Sequence, residues 1–154
     1  MKYWLMKSEP STFGIDALAA AKARTTGWDG VRNYQVRNYM RDDMKKGDLA
    51  FFYHSSCPVP GVAGIVKVVR EAYPDATAFD STHHHYDPES DRQDPRWLMI
   101  DVKLERKFDR IVTLEELRTH ATGPLKNMLL LKRGNRLSIT PLTKAEFDFI
   151  TTLE

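Results

Sequence analysis

Asp48-Leu49-Ala50-Phe51-Phe52-Tyr53-His54 is a nearly continuous apolar run that follows the turn-forming triplet Lys46-Gly47-Asp48. Neighbouring side chains of a strand point to opposite faces, so adjacent phenylalanines need apolar cover on both sides. The run therefore predicts a strand buried on both faces, as in a barrel wall. Further strands are expected on either side of it. Tyr3 to Lys7 is short and aromatic, Val62 to Val69 is rich in β-branched residues, and Trp97 to Phe108 alternates from Met99 onward. Arg136 to Pro141 reads as the last strand.

Helices announce themselves by their caps. Thr113-Leu114-Glu115-Glu116 and Thr143-Lys144-Ala145-Glu146 both match the capping box, in which a hydroxyl and a carboxylate reciprocally satisfy orphan amides. Leu114 with Leu117, and Phe147 with Ile150, then supply short amphipathic spacings. Ile15 to Ala23 is alanine-rich and helical by propensity. Pro124 to Leu131 is expected as a helix with proline in its first turn. In Asn33 to Met44 the residues Val36, Tyr39, Met40 and Met44 form a buried stripe, and extending it back one turn brings up Arg32 and Asn33. Strands and short helices interleave without regular βαβ alternation. The pattern predicts an α+β fold, a small mixed β-barrel flanked by short helices, as a single domain over residues 1–154.

Lys+Arg 23 against Asp+Glu 21 leaves a net charge of +2, too balanced to identify a nucleic-acid binder by charge, although it permits an anionic partner. One cysteine, Cys57, rules out an internal disulfide framework and any multi-cysteine zinc site. No stretch has the roughly 18 apolar residues of a membrane-spanning helix, and charge returns at Lys7 before a signal-peptide core could form. A soluble cytoplasmic monomer without a membrane partner is expected.

Chemistry-bearing residues concentrate in Gly27-Trp28-Asp29-Gly30-Val31-Arg32-Asn33-Tyr34-Gln35-Val36-Arg37-Asn38. Planar recognition needs an aromatic face, an amide for base edges and a guanidinium for phosphate or carbonyl, and all are present. Trp28 also fits a core plug, with the polar residues as a solvated helix start, and taken alone the residues lean that way. Arg32 and Asn33, on the face of a buried stripe, need partners. Lys7-Ser8-Glu9-Pro10-Ser11 and Phe52-Tyr53-His54-Ser55-Ser56 each end a strand with polar side chains, and such ends can face one site. His83-His84-His85 resembles a metal site, but successive residues of an extended chain point apart, so at most His83 and His85 could share an ion. A polar surface loop without metal or other cofactor is expected there. Cys57 with His54 lacks any signature of a nucleophilic pair.

These motifs, taken together, resemble the EVE domain family along the whole chain. The resemblance is carried by Tyr3 to Pro10, Trp28 to Gln35, Gly47 to Ser55 and Val69-Arg70-Glu71-Ala72-Tyr73-Pro74-Asp75. It continues in Tyr86-Asp87-Pro88, Pro95-Arg96-Trp97 and Gly134-Asn135-Arg136-Leu137-Ser138. Val36 stands where alanine is usual. The resemblance implies a PUA-like fold, whose relatives the YTH and SRA domains read modified nucleobases in aromatic pockets. It implies a non-catalytic reader of a modified base, with modified cytosine flipped from DNA as the leading ligand. Its pocket would be lined by Lys7, Ser8, Glu9, Trp28, Arg32, Asn33, Tyr53, His54 and Ser55, with Arg37, Lys132 and Arg133 on the nucleic-acid backbone. The alternatives are an RNA-binding module and an enzyme using Glu9 or His54 as general acid–base.

Overall fold

The computed structural model describes all 154 residues. Its centre is one six-stranded sheet in the order β2-β5-β4-β3-β1-β6. The strands are β1 (Tyr3–Ser8), β2 (Thr25–Trp28), β3 (Leu49–His54), β4 (Gly61–Pro74), β5 (Leu98–Thr113) and β6 (Ile139–Leu142). β1 runs parallel to β3, and every other neighbouring pair is antiparallel. The expected barrel does not close: β2 and β6 are the two edges and do not pair with each other.

β3 has the burial its sequence demands. Phe51 packs into one apolar cluster with Leu5, Val62 and Phe147, and Phe52 into the other with Trp4, Met6 and Val66. The sheet thus lies between two cores. Helices α2 (Ile15–Ala20) and α3 (Tyr34–Asn38) cover the Phe52 side through Ile15, Leu18 and Val36. Helices α4 (Leu114–Arg118) and α5 (Lys144–Thr151) cover the Phe51 side through Leu117, Phe147 and Ile150.

Several helical expectations are corrected. α3 starts one residue later than expected because Asn33, at φ −116°, is its cap and accepts from the Val36 amide. It then widens into a π turn over Tyr39–Asp43, which keeps Met40 and Met44 on the buried side. α2 stops at Ala20, because Ala21 turns extended at ψ 156°, and Ala23 and Arg24 beyond it adopt left-handed backbone angles. Pro124 to Leu131 is a chain of tight turns ending in a 3-10 turn, Leu129–Leu131, that nonetheless buries Leu125 and Met128. Thr143 and Glu146 form the full capping box. At Thr113 only the hydroxyl half is made, because the Glu116 carboxylate is taken by Arg110 at 2.8 and 3.0 Å. α1 (Pro10–Phe13), a single turn, follows β1 directly.

β4 and β5 are both longer than their sequence patterns suggest, and their ladder changes register at four places. Each irregularity adds local twist, which curls the sheet and lets one strand feed both cores. Val66 and Val68 face one core while Val62 and Ile65 face the other. Gly64 lies at such a shift, where an added Cβ would run into the Arg106 carbonyl and the Ile15 side chain. Gly64→Ala is expected to cost about 1–3 kcal/mol of stability, as overpacking does. A lower denaturant midpoint with an unchanged slope would verify it; an unshifted midpoint would show that the ladder yields freely.

Candidate functional site

Because the sheet curls without closing, the end of β1 comes to face the edge strand β2 across an open seam. A cavity of about 650 Å³ lies there, within the range of roughly 300–1,000 Å³ common for small-ligand sites. Lys7, Ser8 and Glu9 form one side, with Thr12 and Phe13 of α1 beside them. Thr26, Gly27 and Trp28 of β2, continuing through Asp29, Gly30 and Val31, form the opposite wall. His84 and His85, from the loop after β4, and Ser138, just before β6, complete it.

Trp28 belongs both to the core and to the cavity lining. It is only 9% exposed and meets Phe52 edge-on in the core, with ring centroids 5.7 Å apart, yet it also lines the cavity. Its position follows from β2, a strand hidden from sequence reading because it is short, contains glycine and lies at an edge. The β2–β5 register pairs Trp28 with Ile100.

The wall beyond Trp28 is fixed by Asp75, at the end of β4. This carboxylate is fully buried and accepts from the Gly30 amide at 2.8 Å and Arg32 Nη1 at 3.1 Å. It also accepts from the Thr77 amide at 2.9 Å and the Thr77 hydroxyl at 2.6 Å. Burial alone would push its pKa up, but the bonds from Thr77, Gly30 and Arg32 prevail and hold the carboxyl below its usual range. Arg32 also donates to the His85 carbonyl, at 2.6 Å from Nη2, and lies over the Trp97 ring. Gly30 has φ +79°, and the His85 ring lies so close that a Cβ would collide with it. Burial, followed by the neighbouring His84, lowers the His85 pKa, while Asp29 opposes the shift. Its buried Nδ1 has no partner.

The structure brings Lys7, Ser8, Glu9 and Trp28 together in the cavity but not the other sequence-predicted residues. Arg32 stands behind the wall on Asp75, and Asn33 caps α3. The strand ends do lie side by side, with the Ser55 amide donating to the Ser8 carbonyl at 2.9 Å. Tyr53, however, is 3% exposed within the Phe51-side core, and burial pushes its phenol up to about 12. His54 Nε2 accepts from the Ile15 amide at 3.1 Å, and burial lowers its pKa. Its lone pair is therefore engaged in positioning α2 rather than free for proton transfer. Ser8 donates to the Phe13 carbonyl at 2.5 Å. Of the basic residues, Arg37 donates to Asn38 and to the Arg96 carbonyl and lies over Tyr34, and Lys132 donates to the Lys126 carbonyl. Arg133 is exposed.

Sequence reading missed Asp29, Gly30, His85 and Asp75, although each falls within or beside a quoted motif. The missing signal was three-dimensional: Asp75 and Arg32 are 43 residues apart. The argument that His83, His84 and His85 point apart is likewise corrected. The segment turns, with the His85 amide donating to His83 Nδ1, and possible ligand atoms on all three lie within 4.8 Å of one another. That hydrogen bond occupies Nδ1 of His83.

The EVE domain family model matches residues 2–153. Thymocyte nuclear protein 1 from Mus musculus is 52% identical, the match covering 99% of this chain and 73% of that protein. Its Homo sapiens counterpart is 51% identical with the same coverage. The crystal structure of human THYN1 protein in complex with 5-methylcytosine containing DNA superposes with a TM-score of 0.94 at 49% identity, covering 99% of this chain and 97% of that one. A crystal structure of a protein from Pseudomonas putida gives 0.90 at 44% identity, covering 98% of each chain.

Asp75→Asn removes a buried acceptor and is expected to cost about 3 kcal/mol, the lower end for breaking one side of a buried pair. The native carboxyl lies below its unfolded value of about 3.9. Its stabilisation is therefore complete above that value and is lost as pH falls through it toward the native pKa. Denaturation of both proteins between about pH 6 and 2 should show the gap narrowing in acid; a pH-independent gap would assign the loss to packing. The histidine loop is held by its own hydrogen bonds and by Trp97 Nε1 donating to Asp87 at 2.7 Å. Chelator treatment should therefore leave the melting temperature unchanged. Stoichiometric zinc that departs together with stability would contradict this.

Proposed function

The chain belongs to the EVE domain family, and we propose that it is a non-catalytic module that captures a modified nucleobase, modified cytosine flipped out of DNA, in the seam cavity. One observation carries this reading. The cavity is walled by Trp28 in a chain whose fold matches, at a TM-score of 0.94, a human relative solved with 5-methylcytosine containing DNA. Flipping costs a few kcal/mol, which a stack worth about 1–3 kcal/mol and hydrogen bonds to the base edge would offset.

The cavity's chemistry agrees with a planar polar guest. Trp28 offers aromatic surface, and Ser8, Thr12, Thr26 and Ser138 offer short polar groups around it. The small net charge of +2 limits how many phosphates can be neutralised, so selectivity rests on the base rather than on the backbone. Among the basic candidates, Lys132 and Arg133 are exposed for phosphate, Lys132 also donating to the Lys126 carbonyl, whereas Arg37 is held on Arg96 and Tyr34. Catalysis by His54 would first require breaking its bond to the Ile15 amide.

Trp28→Ala is expected to weaken binding to a duplex carrying 5-methylcytosine by about 1–3 kcal/mol, while binding to the unmodified duplex changes far less. Since Trp28 is also a core residue, the variant should lose about 3–5 kcal/mol of stability, so affinity is measured well below its melting temperature. Titration of methylated DNA, unmodified DNA and methylated RNA tests the reading and the polymer together. Equal affinity of the wild type for methylated and unmodified DNA would remove it, as would turnover of the base detected by mass spectrometry.

A further inference from the structure

Glu9 and Asp29 are the two carboxylates that line the cavity, and neither side chain takes part in any of the protein's ion pairs. An ionised carboxylate accepts hydrogen bonds and donates none, so a cavity edged by it favours a guest that presents N–H groups. The two differ in how firmly they are held. Glu9 is exposed, has a long side chain and sits ahead of the single turn of α1. Asp29 has a short side chain, and its backbone is anchored on both sides. Trp28 before it is locked into the β2–β5 ladder, and the amide of Gly30 after it is bound to buried Asp75. Such two-sided anchoring is what makes a recognition group pre-organised.

Resting on the base-capture reading above, we infer that Asp29 is the specificity residue of this cavity. It accepts from the exocyclic amine of the base stacked at Trp28 and so selects cytosine-type over thymine-type pyrimidines. 5-Methylcytosine and thymine have the same ring and the same methyl group. They differ at the edge, where cytosine presents an amine donor and thymine a carbonyl acceptor. A carboxylate satisfies the first and is left unpaired, facing another acceptor, by the second. The methyl group cannot make this distinction, and neither can the stack on Trp28, which any base face satisfies.

The test compares duplexes that carry a single 5-methylcytosine or a single thymine opposite the same guanine. The thymine pair is a mismatch and opens more easily, which biases the comparison against the proposal. The wild type should still prefer 5-methylcytosine, by roughly tenfold or more. Asp29→Asn can donate its amide to the thymine carbonyl, so the preference should collapse or invert with the melting temperature unchanged, Asp29 being exposed. Glu115→Gln, on α4 outside the cavity, should keep the wild-type ratio. Asp29→Asn with an unchanged ratio would overturn the inference, and so would a Glu9→Gln variant that inverts it. A wild type that discriminates neither 5-methylcytosine from cytosine nor from thymine removes base capture itself. One that separates methylated from unmodified cytosine but not 5-methylcytosine from thymine leaves base capture standing and removes only the role of Asp29.

Discussion

A buried carboxylate without partners would cost far more than this fold could tolerate, and Asp75 is buried completely. The chain meets that demand with donors from two segments, Gly30 and Arg32 beyond β2 and Thr77 beyond β4, and Arg32 in turn donates to the His85 carbonyl. The same contacts that neutralise Asp75 therefore tie the loop after β2 to the loop after β4. Gly30 can take its left-handed conformation there without strain, and its missing side chain is the space that the His85 ring occupies. One satisfied charge thus sets the shape of a whole cavity wall.

The opposite wall follows from the way the sheet ends. A closed barrel would have joined its edges by hydrogen bonds and left no room between them. Here the bulged β4–β5 ladder curls the sheet far enough to bring the end of β1 opposite β2, but the two edge strands remain apart. The far edge, β6, carries Pro141 opposite Trp4, a residue that lacks an N–H and so discourages further strand addition. The edge at β2 is bordered by the cavity instead. The failure to close and the existence of a site are the same structural fact.

What was legible in the sequence was whatever a local period or a cap could encode. Phe51-Phe52 announced a strand buried on both faces, and Thr143 with Glu146 announced a helix start that forms completely. Thr25 to Trp28 announced nothing, because a four-residue edge strand is too short to show a period. Arg32 shows the more instructive limit. Its polar side chain was expected to need a partner, and it has several, but the chief one is a carboxylate far along the chain. Sequence patterning can say that a buried polar group must be satisfied; it cannot say whether the protein or a ligand will do it. Tyr53 and His54 fail in the same way, since the end of β3 does adjoin the end of β1 while its side chains turn to the core and to α2.

That distinction also separates framework from site. Arg32, Asn33, His54 and Asp75 are polar groups whose hydrogen-bonding capacity is used within the protein, and each holds a loop or a helix end in place. Glu9 and Asp29 keep their carboxylates free, and both border the same cavity as Trp28. Folding satisfies polar groups wherever the chain can reach them, so a concave surface that collects free acceptors beside an aromatic wall is matched to a guest supplying donors and a flat face. A flipped pyrimidine with an exocyclic amine has both, and the rigidity supplied by Asp75 means that little reorganisation is needed to receive it.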